Sequence, residues 1–412
     1  MGNAVKVEGQ FYWDPGSNQN IELPSGVTFK NCIFTENGTL ENTEEPPVIY
    51  INRATASFES CVIKDNHVVK PQYSGEGAAI WIGEESNVVV TGTKILNNSL
   101  TANEDANGAG IYMNWSGDNR LTVTNSIISG NTATPGANYN SRGSGIMIRG
   151  GTATIINSTI VDNEVAGTSQ MGGGIFVEND NQSGTSTKLN LFNSIIYGNT
   201  PINNQLYIED FSNVEHFVSY SLIQGTDLDE FEDGVFESNP EFLDSTYALH
   251  PRSPAIGTGA VESEDTENEP IYAPTVDIAG NIRPNPADAS LYDGGAVPDL
   301  GAYEHELAVT PYPAIVEDLA ATPLHRSVEL EWDYHEEEEV EMYIAYMVGV
   351  DSSLTFTPVD TVLGRFNTRT TIDSLVNGTD YWFYVTAVDT ADYESSPTLH
   401  VKISPFFQGP VW

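Results

Sequence analysis

The chain has 412 residues, with 16 Lys plus Arg against 58 Asp plus Glu and a formal charge of −42. Such a surface repels phosphate backbones and anionic lipid, which excludes nucleic acid and membrane-surface partners, and no apolar run reaches bilayer-spanning length. Two cysteines are too few for a disulfide framework.

The N-terminus, Met1-Gly2-Asn3-Ala4-Val5-Lys6, lacks the basic and apolar regions of a signal peptide, so a secreted form is expected to be a mature or trimmed segment. One short phrase then recurs seven times. Its copies begin at Asn31, Ser60, Gly92, Asn125, Asn157, Asn193 and Tyr220. The second residues of the copies follow one another by 29, 32, 33, 32, 36 and 27 positions. A step near thirty in β-type sequence means one solenoid coil per repeat.

The fourth copy shows the logic. Leu121-Thr122-Val123-Thr124 alternates as a half-buried strand does. Asn125 tolerates the left-handed backbone of a sharp bend. Ser126-Ile127-Ile128 makes a second strand, Thr132 to Gly143 reads as a polar loop, and Gly145-Ile146-Met147-Ile148 makes a third. Three strands and three bends describe a parallel β-helix coil, each coil about 4.8 Å above the last.

Like residues then stack. One inward column is Phe34, Ile63, Ile95, Ile128, Ile160, Ile196 and Ile223. The third strand supplies two more, running from Ile49 to Leu206 and from Ile51 to Ile208. No coil buries its own apolar face alone; stacking does it. Asn37, Asn66, Asn98, Asn131, Asn163 and Asn199 form an amide column, suited to coil-to-coil hydrogen bonds. Cys32 and Cys61 share a column with Thr93, Ser126, Ser158, Ser194 and Ser221. They read as small stacked residues; a disulfide across neighbouring coils is within reach by distance.

On these repeats, including Gly172-Gly173-Gly174-Ile175-Phe176-Val177 and Asn193-Ser194-Ile195-Ile196-Tyr197-Gly198-Asn199, the first part resembles the pectate-lyase-like right-handed β-helix superfamily. The later segments Asn239 to Leu243, Ser253 to Gly259, Asp277-Ile278-Ala279-Gly280-Asn281-Ile282-Arg283-Pro284 and Asp299-Leu300-Gly301-Ala302-Tyr303-Glu304 resemble the end of choice-of-anchor β-helix proteins. That resemblance implies a bacterial protein that is secreted or held at the cell surface. It implies little about activity.

Residues 306–313 read as a linker and 406–412 as a tail. Between them, 314–405 alternates in short strands. Trp332 in an early strand and the turn of Leu375, Gly378 and Tyr381 are similar to a fibronectin type III domain, an immunoglobulin-like β-sandwich. Glu336 to Glu339 reads as a solvated acidic loop. The expected fold is therefore all-β: a right-handed parallel β-helix of about seven coils over 1–305, with an N-terminal cap and an irregular end from about 227, then the sandwich.

The outward residues of the third strand are Tyr50, Trp81, Tyr112, Met147, Phe176 and Tyr207, an aromatic stripe with Arg142 and Arg149 nearby. In the resembled superfamily the substrate groove lies along this face. The clustered Asp and the catalytic Arg that the superfamily's pectate lyases use do not fall on this stripe. Loop acids Glu104, Asp105 and Asp118 leave a loop-borne carboxylate pair of a glycosidase open. Two readings of the stripe stay open. The rings stabilise the solenoid under covering loops, or they stack on sugar rings.

The candidate ligand-binding set is Tyr50, Trp81, Tyr112, Met147, Phe176, Tyr207 and Arg149, with no assignable catalytic residue. Asp227, Asp229 and Asp233 are the candidates for Ca²⁺, which takes oxygen ligands; no other cofactor is expected. The functional expectation is an extracellular, non-catalytic module that binds polysaccharide, cell-surface glycan or a partner along the stripe. A polysaccharide lyase or hydrolase, and a self-assembling stalk or filament subunit, are the alternatives.

Overall fold

The computed structural model describes residues 4–14, 19–23, 25–38, 47–115, 117–167, 169–178, 186–209, 214–225, 228, 231–232, 234–285, 297–307, 309–349 and 355–406, without the side chains of 10–14, 19–23 and 169. The chain forms two compact units, Met1–Val309 and Thr310–Trp412. Asp227, Asp229 and Asp233 lie outside the described residues.

The first unit is a parallel β-solenoid built on three seven-stranded sheets. The first sheet runs from Ser25–Lys30 to Glu215–Ser219, the second from Ile33–Thr35 to Leu222–Ile223, and the third from Val5–Glu8 to Leu206–Ile208. Register is kept from coil to coil: Phe34, Ile63, Ile95, Ile128, Ile160, Ile196 and Ile223 are successive partners. The column from Ile63 through Ile223 is buried. Isoleucines stacked from coil to coil fill this part of the interior, and β-branched side chains suit this pleated surface.

Two polar ladders pin the register. Each asparagine amide Nδ2 donates to the next Oδ1: Asn66 to Asn98 at 2.7 Å, Asn98 to Asn131 at 2.9 Å, Asn131 to Asn163 at 2.9 Å and Asn163 to Asn199 at 2.8 Å. Asn199 passes the ladder to Gln205 at 2.9 Å. In the hydroxyl column each backbone N–H donates to the side chain one coil on, Thr93 to Ser126 at 3.2 Å and Ser158 to Ser194 at 3.2 Å. Both cysteines are free thiols in that column, the Cys32 N–H donating to Cys61 Sγ at 3.4 Å. Burial pushes the Cys61 thiol up, which makes it a poor nucleophile.

The bend between the first two strands recurs with positive φ at Asn31, Ser60, Gly92, Asn125, Asn157, Asn193 and Tyr220, between 44° and 58°. Asparagine tolerates this region best among side-chain-bearing residues.

The middle coils depart from the three-strand expectation. The stretch read as a polar loop, Thr132 to Gly143, contains two strands, Thr132–Thr134 and Asn140–Arg142. They belong to two four-stranded parallel sheets. One holds His67–Lys70, Ser99–Ala102, Thr132–Thr134 and Glu164–Val165; the other holds Gly75–Glu76, Ala106–Asn107, Asn140–Arg142 and Ser169–Met171. These strands turn only one or two small or apolar side chains inward, such as Leu100 with Ala102, Ala133 or Ser141. That is too little alternation to read from a single coil.

The last part of the first unit lies along the solenoid flank. The bend asparagines hold it: Asn193 Nδ2 donates to Ala260 at 2.7 Å, Asn157 to Asp299 at 3.0 Å and Asn125 to Val276 at 2.6 Å. Further down, Lys94 Nζ meets the Tyr303 hydroxyl at 3.2 Å. Leu249, Ala255, Ile256 and Leu300 pack on Ile195 and Leu222. Within this strap sits a fully buried ion pair, Arg283 to Glu304 at 3.0 Å. Asp299 accepts the Gly257 N–H at 2.7 Å and the His305 N–H at 2.6 Å, and Asp277 accepts the Glu304 N–H at 3.0 Å. Asp277, Arg283, Asp299 and Glu304 are thus a fastening.

The second unit is an antiparallel β-sandwich. Ala320–Leu324, Ser327–Glu331 and Arg369–Ile372 form one sheet; Thr357–Leu363, Val340–Val348, Tyr381–Asp389 and Val401–Ile403 form the other. Trp332, Tyr343, Phe383 and Val385 share its core. The Tyr381 hydroxyl accepts the Val376 N–H at 3.1 Å, the turn-closing bond expected of a tyrosine at this corner.

Candidate functional site

The stripe exists in full register. Lys6, Tyr50, Trp81, Tyr112, Met147, Phe176 and Tyr207 are successive partners on the third sheet. Its middle is covered. Tyr112 and Met147 are 0% exposed and Phe176 is 1% exposed, whereas Tyr50, Trp81 and Tyr207 are half-buried. No ligand reaches the Tyr112, Met147 or Phe176 side chains in this arrangement.

The cover is the short sheet that begins at Gly75. Its outward residues Glu76, Asn107, Arg142 and Met171 are in register with one another. They lean onto the stripe across an inside corner. Met171 packs on the buried aromatic cluster, Arg142 lies 5.5 Å from the Phe176 ring, and Trp81 Nε1 donates to Glu76 at 3.4 Å. The corner residues must be glycine. Gly108 has φ +66°, and a Cβ there would lie 2.8 Å from Tyr112 Cβ.

Arg149 closes the corner rather than offering a charge to solvent. Its Nη1 donates to the Tyr112 hydroxyl at 3.1 Å, its Nη2 to Glu178 Oε1 at 3.1 Å, and Glu76 lies 3.8 Å away. Burial works against the Arg149 charge, and the Tyr112 and Glu178 oxygens more than restore it. Burial, with Glu76 beside it, holds the Tyr112 phenol well above its ordinary value. A tyrosine so placed stays protonated and serves as a hydrogen-bond partner, not a base.

At the open end the rings face each other. Tyr50 and Trp81 stack at 4.6 Å with planes 5° apart, and Lys6 Nζ lies 5.6 Å from the Tyr50 ring. The Trp81 ring lies across Gly83, where a Cβ would come within 2.2 Å of it. Ring faces turned toward each other leave their edges and outer ends for a ligand. The neighbouring charges are matched, Lys6 with Glu8 at 2.8 Å and Arg53 with Glu84.

Two of the loop acids join coils, and the third pairs within its own coil. Asp105 Oδ1 accepts the Asn140 N–H at 2.9 Å, Glu104 accepts from Ser74 at 3.2 Å, and Asp118 lies 3.5 Å from Arg120. Among the described residues no group of three or more His, Cys, Asp or Glu could hold a metal ion. Sequence reasoning missed Glu76, Met171, Glu178 and Gly83. A signal existed for one feature: each stripe residue from Trp81 to Phe176 follows a glycine four positions earlier, at Gly77, Gly108, Gly143 and Gly172, which marks a corner.

The family described as "Right handed beta helix region" matches residues 8–141. The first unit is a right-handed parallel β-helix. No curated protein matches the chain. Among solved structures, an Fn3-like protein from Clostridium thermocellum is 19% identical, with 24% of this chain and 98% of that one covered and a TM-score of 0.20. The solution structure of a human FNIII domain is 17% identical over 24% of this chain and 84% of that one, with a TM-score of 0.21. A β-1,2-glucanase from Parabacteroides distasonis is 23% identical over 27% of this chain and 15% of that one, with a TM-score of 0.20.

Proposed function

We propose that the chain is a non-catalytic module of a secreted or cell-surface protein, a pectate-lyase-like β-helix of the choice-of-anchor kind. It binds a glycan at the open end of the stripe, around Tyr50 and Trp81. The second unit, read as a fibronectin type III domain, serves as its spacer. The observation that carries this reading is the division of the stripe. Tyr112, Met147 and Phe176 fill a corner, while the Tyr50–Trp81 pair keeps exposed edges beside Lys6. Aromatic residues with polar neighbours suit sugars, which present apolar faces and hydroxyls together. Lys6, Arg53 and Arg149 around the stripe are already matched to carboxylates, which suits positioning rather than proton transfer. Net charge favours a neutral glycan over an acidic one.

The test is retention of the full chain on a glycan array. Tyr50→Ala with Trp81→Ala should weaken retention by about tenfold or more, while Met147→Leu should leave it unchanged. Unaltered retention by the double variant would overturn the reading. The covered corner also favours a second reading, a purely structural stalk, for which pure protein would polymerise and no glycan would be retained.

A further inference from the structure

The second unit carries an exposed aromatic pair beside an acidic cleft. Tyr334 and Phe366 are 53% and 70% exposed and lie side by side, with centroids 5.6 Å apart and planes at 45°. Tilted rings of this kind leave faces open. Tyr334 also lines a cleft of about 510 Å³, within the roughly 300–1,000 Å³ of small-molecule and side-chain pockets. The other walls come from Ala314 to Glu317 and Asp333 to Glu337.

Four carboxylates ring this cleft, and Glu317, Asp333, Glu336 and Glu337 are all exposed. His335 is buried and committed to the wall, with Nε2 against the Ala314 carbonyl at 3.0 Å and Nδ1 accepting the Glu337 N–H at 3.2 Å. The aromatic side already holds one cation: the Arg365 guanidinium lies 4.6 Å from the Phe366 ring, fixed by the Glu336 carbonyl at 2.7 Å.

The chemistry selects the occupant. A second copy of a chain with charge −42 would bring acid to acid, and nucleic acid or anionic lipid would be repelled in the same way. A neutral glycan could meet the rings but would strip water from the carboxylates without any Coulomb gain. A guanidinium or ammonium gains the Coulomb attraction and an aromatic face together. We propose that this cleft binds a basic peptide segment of a partner protein. One Arg or Lys side chain lies over Tyr334, and its neighbours reach Glu317, Glu336 and Glu337. The inference is independent of the glycan reading of the first unit.

The experiment uses the full chain and an octaarginine peptide, with affinity read by calorimetry and footprint by hydrogen exchange. Glu317→Gln with Glu336→Gln and Glu337→Gln should weaken binding by about tenfold or more. A control of equal charge change, Glu262→Gln with Glu264→Gln and Glu269→Gln, should leave it within about twofold. Tyr334→Ala with Phe366→Ala should weaken it several-fold at unchanged net charge. All these residues are exposed, and circular dichroism confirms that each variant folds. Equal losses in both glutamine triples would show diffuse attraction and overturn the proposal. So would a footprint away from 333–337, or protection of that segment by a neutral glucan hexasaccharide and not by the peptide.

Discussion

Asn131 shows how much one side chain does here. Its backbone N–H donates to Asn163 Oδ1 at 3.0 Å and its Nδ2 to the same oxygen at 2.9 Å and to the Ile95 carbonyl at 3.0 Å. Its own Oδ1 receives the Asn98 N–H at 3.0 Å and the Asn98 amide at 2.9 Å. All of this is fully buried. Asn131→Ala strands the two Asn98 donors, each at about 1–3 kcal/mol. Urea denaturation should show a loss of about 3 kcal/mol or more, and a loss below about 1 kcal/mol would mean that the ladder is decorative. Gly83 is a second such residue, because the Trp81 ring occupies the place of its side chain. Gly83→Val should cost roughly 1–3 kcal/mol through overpacking, measured the same way, and should lower glycan retention with it. The amide column was legible because a polar residue recurring at a fixed inward place has few other uses. Gly83 was not, since a lone glycine at the end of a strand does not say which ring lies on it.

Among elements, the strap is the part whose stability answers to pH. Burial, with the Glu304 charge next, pushes the Asp299 carboxyl up to about 8, and burial raises Glu304 too. The folded strap therefore binds protons more readily than the free chain. Its stabilisation is present below the ordinary carboxylate range and is lost as pH rises through about 8. The protection of residues 255–285 against hydrogen exchange, taken relative to the intrinsic base-catalysed rate at each pH, should fall from mildly acidic to mildly alkaline pH, and Asp299→Asn, which mimics the protonated acid, should flatten that dependence. A wild-type strap equally protected across the range would contradict this. Arg283→Met should cost about 3–5 kcal/mol, because it leaves the Glu304 carboxyl without its partner in the interior. The three main strands of each coil were legible through apolar periodicity. The two short strands inside Thr132 to Gly143 were not; a cover over the stripe was one of its two readings, but as loops and not as a sheet. Their inward positions hold residues as small as Ala133 and Ser141, and only the stack of four coils gives them a partner. The segments from Asn239 to Glu304 could be recognised as a pattern, but their chemistry could not. Only contact with Asn125, Asn157 and Asn193 shows them to be a strap.

At the scale of the molecule, stacking sets the fold and charge sets the company it keeps. A net −42 stores self-repulsion that added salt screens. The melting temperature should therefore rise from low to physiological ionic strength, and a flat or falling trend would show that self-repulsion has little weight in the stability of the folded chain. Function is read from what stacking leaves uncovered. The interior columns, the roofed corner and the strapped flank are used up by the fold. The Tyr50–Trp81 end and the acidic cleft of the second unit are not. The most direct measurement is to incubate the full chain with neutral polysaccharides and to assay bound protein and released sugar ends in the same sample. A binding module should show saturable retention with no new reducing or unsaturated ends; release of either kind of end, lost on substitution of the Tyr50–Trp81 pair, would contradict it.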